Sequence, residues 1–158
     1  MNEYCPICNY KMVPAVGPPK SDTLLIGEFP GEEEIKEGRP WIGEGGKILR
    51  AELAKAGIAY VNCRATNLWL HRMNDGCDMA FHIDALMKEV EGRKYILLMG
   101  SELSKLFLEK SVSDLSGTVT KFGGVKTVVC YNPAIAMHSS VGEVRLAIRR
   151  FAEMRRSK

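Results

Sequence analysis

The chain has 158 residues, of which 46% are hydrophobic and 26% are charged, and its formal net charge is +3. This balance is typical of one globular domain, here residues 1–158, and it excludes an intrinsically disordered chain. The apolar runs, such as YILLMG at residues 95–100, are too short to span a bilayer, so the sequence predicts no membrane association.

Strand-like and helix-like segments alternate along the chain. Short apolar runs predict buried strands, and segments with apolar residues at every third or fourth position predict helices between them. The predicted strands are residues 23–29, 59–70, 95–100 and the end of a hairpin at 118–133 around Gly123-Gly124, and the predicted helices are 45–57, 77–92, 101–110 and 142–156. This order predicts an α/β fold with a central, mostly parallel four-stranded sheet flanked by helices.

Three polar stretches follow predicted strands. The first is GEFPGEEEIKEGRPW at residues 27–41, the second is residues 67–72, and the third is YNPAIAMHSS at residues 131–140. Because the carboxyl ends of parallel strands meet at one edge of a sheet, we expect these stretches to form a common binding site.

Two of the five cysteines, Cys5 and Cys8, form a Cys-x-x-Cys pair near the start of the chain. The first residues lack the basic and apolar regions of a signal peptide, which predicts an intracellular protein. In a reducing compartment such a pair indicates metal ligands rather than a disulfide, so residues 1–21 are predicted to be a metal-binding arm. Cys63 and Cys130 fall within strand patterns and are expected to be buried thiols.

Four stretches in register resemble the uracil-DNA glycosylase superfamily, most closely its family-four iron–sulfur enzymes. They are GEFPGEEEIKEGRPWIGEGGKIL from residue 27, TNLWLHR from residue 66, YILLMGSELSKLF from residue 95 and GGVKTVVCYNPAIAM from residue 123. The resemblance covers residues 5–150. It implies a uracil-DNA glycosylase-like fold and a DNA glycosylase that hydrolyses the N-glycosidic bond of uracil, or of a related 5-substituted uracil, flipped out of DNA.

The resemblance also implies which residues bind the base. Gly27 begins the first motif, whose bends are expected to place backbone amides around a flat ring. Trp41 stands where the family stacks a phenylalanine on the base, although a core tryptophan is the alternative. Asn67 matches the asparagine that reads the uracil edge, with a strand-end cap as the alternative. His138 or Met137 is expected to wedge into the vacated base stack, unless that segment is only a surface loop.

Three residues are candidates for catalysis. Glu28 and Glu34 align with acidic residues of the first motif, and a carboxylate there stabilises positive charge on the sugar and orients water. We assign water orientation to Glu34 and site organisation to Glu28. Asn132 replaces the family-four histidine that donates to uracil O2, and its amide is still a hydrogen-bond donor. Phe29 replaces a small residue, so it is expected to line the substrate pocket and to narrow or reshape it.

For the metal, the resemblance implies a four-iron–four-sulfur cluster held by Cys5, Cys8 and two later cysteines. His71 stands where the third cysteine is expected, and Cys77 fits the fourth. Three thiolates and one imidazole also suit zinc, which is the alternative. The centre is expected to be structural, and His82, on a predicted helix, is expected to pack or to face solvent.

Two alternatives to the glycosylase stay open, and Phe29 and Asn132 motivate the first of them. One is a weakly active or inactive relative that binds modified or damaged DNA, and the other is a metal-stapled α/β protein-interaction module. From Glu143 onward the chain has six basic and two acidic residues, which suits either a phosphate backbone or a solvated helix. The leading interpretation implies a monomer that binds DNA in the cytoplasm, in association with the nucleoid.

Overall fold

The structure of the chain, a computed structural model, describes residues 3–74, 76–134 and 141–157. Its centre is a sheet with strand order β2-β1-β3-β5-β4. The strands are β1 (Thr23–Gly27), β2 (Arg64–Asn67), β3 (Tyr95–Met99), β4 (Val119–Phe122) and β5 (Val125–Cys130). All neighbouring pairs are parallel except β4 with β5, so the predicted mostly parallel α/β fold is confirmed.

The predicted number of four strands was wrong, because the described residues form five. Both arms of the hairpin around Gly123-Gly124 join the sheet, and β4 adds an antiparallel edge to β5. Phe122 of β4 is buried, and its ring packs edge-on against Phe107 at 4.9 Å between centroids. Burial of this aromatic ring holds the first arm of the hairpin in the sheet.

Four helices lie where the sequence predicts them, and two short helices, at residues 32–37 and 112–115, were not predicted. The helices are α1 (Glu32–Glu37), α2 (Glu44–Lys55), α3 (Met79–Val90), α4 (Ser101–Leu108), α5 (Val112–Leu115) and α6 (Val141–Arg156). Among the described residues, no helix is both long enough and apolar enough to cross a membrane.

The second predicted strand is shorter than expected. Residues 60–62 form a 3₁₀ turn, and the ladder with β1 ends at Asn67. Beyond it, the amides of Leu68 and Trp69 still donate to the carbonyls of Gly27 and Glu28. The segment therefore continues beside the chain that leaves β1, which is why an extended pattern persists there.

Two apolar layers cover the two faces of the sheet. Leu25 of β1 faces a cluster formed with α2 and α6, which includes Phe151. Leu24 and Ile26 face the opposite cluster, formed with α3 and α4, which includes Leu86. The alternation along β1 places consecutive side chains on opposite faces, as the two-residue period of a strand requires.

The N-terminal arm runs along the outer edge of β2. Val16 exchanges backbone hydrogen bonds with Ala65, and Val13 donates to the carbonyl of Leu70. At Gly17 the backbone has φ of +91° and lies so close to Cys63 that a Cβ would overlap its carbonyl. The arm thereby covers an edge strand that would otherwise expose its hydrogen-bonding groups.

Glu89 of α3 joins three parts of the chain. Its carboxylate accepts hydrogen bonds from Arg64 of β2 at 2.9 Å through two nitrogens and from Arg93 at 3.0 Å. The same two guanidinium groups donate to the carbonyls of Gly17, Pro19 and Ser21. The hydrogen bonds from Arg64 hold the pKa of Glu89 below its usual value.

We expect Glu89→Gln to lower the free energy of unfolding by about 1–3 kcal/mol, because two largely buried guanidinium groups lose their anionic partner. Because the pKa of Glu89 is lower in the folded state than in the unfolded state, its ionisation stabilises the fold at pH values above the unfolded-state pKa. This stabilisation is lost as the pH falls through the folded-state pKa. Urea unfolding at neutral and acidic pH measures both effects. Glu91→Gln, at an exposed position just after α3, is the matched control, and an equal loss in both variants would contradict the prediction.

Candidate active site and metal centre

A cleft of about 390 Å³ opens at the carboxyl edge of the sheet, where β1, β2 and β5 end. Side chains from all three polar stretches line it. The predicted site residues among them are Glu28, Phe29, Glu34, Trp41, Asn67 and Asn132. The parallel topology therefore brings these motif residues to one edge.

Gly27 makes the cleft sterically possible. It forms the last register pair with Asn67 between β1 and β2. A Cβ on Gly27 would overlap both the side-chain oxygen of Asn67 and the ring of Trp41. Glycine therefore allows the Asn67 and Trp41 side chains to lie against the β1 backbone, where both are buried.

The Trp41 ring lies between the cleft and the core. It is 8% exposed, and it packs with Leu49 and Leu53 while also lining the cleft. Its backbone has φ of 59°, in the left-handed region that a bulky residue rarely adopts. Its buried Nε1 has no hydrogen-bond partner among the described residues. The two sequence alternatives, a pocket residue and a core residue, thus describe two sides of one ring.

The Glu34 carboxylate holds the loop that carries Trp41. One oxygen accepts a hydrogen bond from the Gly31 amide at 2.9 Å, which caps the start of α1. The other oxygen accepts from the amides of Ile42 at 3.1 Å and Gly43 at 2.6 Å. Both oxygens are therefore occupied by backbone donors on the two sides of the loop.

The Glu28 carboxylate has a different environment from that of Glu34, because it lies against the first turn of α4. One carboxylate oxygen accepts from the Glu102 amide at 2.9 Å. The carboxyl group lies against Gly100, where a Cβ would overlap it and where φ is +140°. Burial raises the pKa of Glu28, the negative charge of Glu102 raises it further, and donation from the Glu102 amide and Asn132 opposes the rise.

Asn132 and Phe29 lie on different parts of the cleft. The Asn132 side-chain oxygen accepts from the Ala134 amide at 3.0 Å, which directs the two N–H groups away from that turn. Asn132 is near enough to Glu28 for its amide to lower the pKa of that carboxyl. Phe29 is 46% exposed at the rim, so it does not fill the cleft.

The four predicted metal ligands also come together. The ligand atoms of Cys5, Cys8, His71 and Cys77 all lie within 4.8 Å of one another. Cys5 Sγ is 3.7 Å from Cys77 Sγ, and Cys8 Sγ is 3.3 Å from His71 Nε2. Residues separated by 63 or more positions thus join the N-terminal arm to the segment before α3.

The spacing of the donor atoms fits a bound metal. One tetrahedral ion with thiolates at about 2.3 Å and imidazole at about 2.0–2.1 Å holds its donor atoms roughly 3.5–3.8 Å apart. In a four-iron cluster each thiolate binds a different iron, so the thiolates lie farther apart than on one ion. The three sulfurs and one nitrogen suit either group chemically, and their close spacing favours a single ion.

His82 was not recognised from the sequence as part of this centre. The ring is fully buried in α3, with Nε2 at 3.5 Å from Cys77 Sγ and 4.0 Å from Cys5 Sγ. Burial lowers the pKa of His82 to about 4. Cys77 precedes the N-cap Asp78, so it lies outside α3 and helical periodicity does not predict its contact with His82.

The other two cysteines lie apart from the metal ligands. Cys63 and Cys130 are buried, as expected, and burial raises the pKa of Cys63 to about 11. The residues predicted as a wedge, His138 and Met137, lie outside the described residues.

The basic end of α6 is far from the cleft. Arg155 and Arg156 line a cavity with Asp22 and Tyr95, which lie at the amino ends of β1 and β3. The cleft is at the carboxyl ends. A larger cavity of about 680 Å³, between the β4–β5 hairpin and the end of α6, contains none of the predicted site residues.

Comparison with known proteins agrees with this arrangement. The sequence model of the uracil DNA glycosylase superfamily matches residues 14–152. The chain is 27% identical over 157 residues to the Type-4 uracil-DNA glycosylase of Thermotoga maritima, covering 89% of this chain and 80% of that protein.

Two further Type-4 uracil-DNA glycosylases match over shorter stretches. Identity is 38% over 56 residues with the protein of Archaeoglobus fulgidus and 54% over 37 residues with that of Sulfurisphaera tokodaii. These stretches span 28% and 17% of the two relatives' own lengths. The superfamily match extends over most of the chain, and on that basis the chain belongs to the uracil DNA glycosylase superfamily.

Proposed function

We propose that this protein is a DNA glycosylase that hydrolyses the N-glycosidic bond of uracil in DNA. The main support is the shared cleft, since Trp41, Asn67 and Asn132 come from three separate segments and line one cavity beside Glu28. A flipped-out base needs a concave site with an aromatic surface and a few fixed polar groups. The Type-4 uracil-DNA glycosylase names of the relatives support the same activity.

In this proposal Asn67 reads the edge of the base. Its side-chain oxygen accepts from uracil N3–H, and its amide donates to uracil O4. Cytosine presents the reverse pattern, with an amine at the position of O4 and a bare N3. The side chain is 6% exposed and lies against Gly27, so its orientation is set before the base arrives. The part of the Trp41 ring that lines the cleft packs against the base.

The contacts of the two carboxylates favour roles opposite to those expected from the sequence. Both oxygens of Glu34 accept backbone hydrogen bonds, so we propose that Glu34 organises the loop. Glu28 uses one oxygen for the Glu102 amide, and its other donor, Asn132, also lines the cleft, so the carboxylate is accessible from the cleft. We propose that Glu28 orients the attacking water and stabilises positive charge on the sugar.

Asn132 supports departure of the base in this proposal. Its side-chain oxygen is held by the Ala134 amide, and its two N–H groups are the donors of that side chain, one of which also lowers the pKa of Glu28. We propose that they donate to uracil O2 as negative charge develops on the leaving base. A neutral amide stabilises that charge less than a histidine that becomes protonated.

We further propose that Cys5, Cys8, His71 and Cys77 hold a structural metal. When bound, the group cross-links the arm to the segment before α3, and glycosidic hydrolysis needs no redox step from it. The resemblance supports a four-iron–four-sulfur cluster, whereas the donor spacing within 4.8 Å supports a single ion such as zinc.

The proposal extends to substrate range and setting. Phe29 lies at the rim and leaves the cleft open, which supports 5-substituted uracils as further substrates. The partner is DNA, bound by a monomer. An enzyme that acts on chromosomal DNA works beside the nucleoid, so the proposed location is the cytoplasm.

A second candidate is a relative that binds modified DNA with little cleavage. Two observations favour it: only 8% of Trp41 is exposed, and Asn132 supplies a neutral donor where family four has a histidine. A labelled oligonucleotide containing uracil distinguishes the two candidates. Alkali-sensitive breaks at uracil support the enzyme, a shifted but uncut duplex supports the binder, and no shift at low salt favours a protein-interaction module.

We expect Asn67→Asp to lower the single-turnover rate on uracil by about 10- to 100-fold, because a carboxylate cannot donate to O4 and leaves that contact unmade. Gel separation of alkali-treated oligonucleotides containing uracil, hydroxymethyluracil, hypoxanthine or a thymine mismatch measures the rate for each base. Asn62→Asp is the matched control, because it adds the same charge at an exposed turn. Equal rates in the two variants would show that Asn67 does not recognise the base.

We expect Glu28→Gln to lower the single-turnover rate by about 10²- to 10⁴-fold, the contribution of a positioned acid–base group. Glu34→Gln should instead lower the free energy of unfolding by about 1–3 kcal/mol, because an amide N–H would face backbone donors. Rates and urea unfolding are measured on both variants. Glu37→Gln, exposed in the same helix, is the control, and a rate loss confined to Glu34→Gln would reverse the assignment.

The proposed role of Glu28 also predicts how the excision rate depends on pH. Burial raises the pKa of Glu28, so its proton is retained to higher pH than on an ordinary carboxyl. The proposed role needs the ionised form, and the rate should therefore fall as pH drops through that raised value. If the rate of Glu28→Gln falls at low pH in the same way as the wild-type rate, another group causes that fall.

A further inference from the structure

His82 lies beside the proposed metal centre, and aromatic rings enclose it. The centroid of its ring is 4.9 Å from that of Trp69, 5.1 Å from that of Phe81 and 4.6 Å from that of His71. The side chain is fully buried. Its orientation is therefore set by packing, and each ring nitrogen has a fixed neighbour.

One backbone contact determines which nitrogen of His82 carries the proton. The Leu70 amide donates to Nδ1 at 3.3 Å, and a backbone N–H only donates. Nδ1 therefore presents its lone pair, and in a neutral imidazole the proton is on Nε2. That Nε2–H faces Cys77 Sγ at 3.5 Å, with Cys5 Sγ at 4.0 Å.

His71 has the opposite tautomer for the same kind of reason. Its Nδ1 is 2.7 Å from the carbonyl oxygen of Arg72, which only accepts. The proton is therefore on Nδ1, and Nε2 presents a lone pair 3.3 Å from Cys8 Sγ. A metal-binding imidazole needs that free lone pair, and it commonly donates its other N–H to a carbonyl.

We propose that the two histidines have different functions at the centre: His71 is a ligand through Nε2, and His82 donates an N–H···S hydrogen bond to the Cys77 thiolate, with the Cys5 thiolate as a more distant acceptor. The inference rests on the proposed metal centre. Three thiolates around one divalent ion leave a net charge of −1 in a partly buried site. A donor aimed at sulfur from the fully buried His82 ring offsets that charge on the side that water does not reach.

The consequence is a positioning residue that stabilises the bound state without touching the metal. Outer partners of this kind typically contribute about 10- to 100-fold to metal affinity. If the group is an iron–sulfur cluster, hydrogen bonds to its sulfurs also raise its reduction potential. In either case the metal keeps the same ligands when His82 is replaced.

The test uses Co²⁺ as the probe and compares two substitutions of similar size. Apoprotein of the full chain is titrated with Co²⁺ against a competing chelator, and the visible absorption of the thiolate-bound ion reports both affinity and ligand set. His82→Leu removes the donor, whereas His82→Gln keeps a side-chain N–H. Phe81→Leu changes packing on the same helix, and His71→Leu removes a ligand. Circular dichroism confirms that each variant is folded.

We expect His82→Leu to bind one Co²⁺ with an unchanged spectrum and about 10- to 100-fold lower affinity. His82→Gln should recover most of that loss, and Phe81→Leu should bind like the wild type. His71→Leu should shift the spectrum, because one ligand changes. These results together would establish a donor at residue 82 and a ligand at residue 71.

Three outcomes would overturn the inference. A spectrum of His82→Leu that shifts as in His71→Leu would make His82 a ligand. Equal Co²⁺ affinities for His82→Leu and His82→Gln would show that a hydrogen-bond donor at residue 82 does not contribute to metal affinity. Wild-type protein that binds no Co²⁺ would remove the single-ion centre on which the inference rests, and uracil excision by the same preparation would show that the proposed activity stands without it.

Discussion

The close approach of side chains to Gly27 is the constraint on which the cleft depends. Asn67 and Trp41 reach the same backbone atoms only because no Cβ lies between them. The backbone at Trp41 is left-handed, and hydrogen bonds from the next two amides, those of Ile42 and Gly43, to Glu34 hold it in that conformation. Gly46 completes the arrangement, since a Cβ there would overlap the Trp41 carbonyl. Gly27, Gly46 and the Glu34 carboxylate thus stabilise this loop. Without them, the left-handed backbone conformation of Trp41 would be unfavourable for a tryptophan.

The metal centre is joined to the cleft by a short piece of chain. Asn67 ends β2, and four residues later His71 reaches the cysteines. Between them the Leu70 amide donates to His82, while the Leu70 carbonyl accepts from Val13 of the arm. Backbone hydrogen bonds therefore fix this segment on both sides. In the proposed function, a metal that holds the arm against residues 70–71 also limits how far Asn67 at the end of β2 moves, although the metal lies outside the cleft.

Apolar runs and helical periodicity predicted most of the sheet and four helices, because those patterns report burial directly. The first hairpin arm was not counted as a strand, since only Phe122 of its four residues is buried. The proposed roles of Glu28 and Glu34 depend on which backbone amides donate to them, and sequence spacing does not encode those partners. Similarly, Cys77 and His82 are visible as metal-binding residue types, but the ring tautomer follows from the Leu70 amide, a contact set by tertiary folding.

The exchange of histidine for Asn132 bears on Glu28 as well as on the leaving base. The Asn132 amide lowers the pKa of Glu28 as a hydrogen-bond donor, but burial outweighs it and the net shift is upward. A cationic imidazole in the same place would add direct attraction and hold the carboxylate ionised. With a neutral amide, the cleft keeps a carboxyl group whose ionisation depends on partial desolvation and on the Glu102 amide. In the proposed mechanism, the substitution therefore weakens leaving-group stabilisation and water activation together, so one electrostatic change acts on both steps.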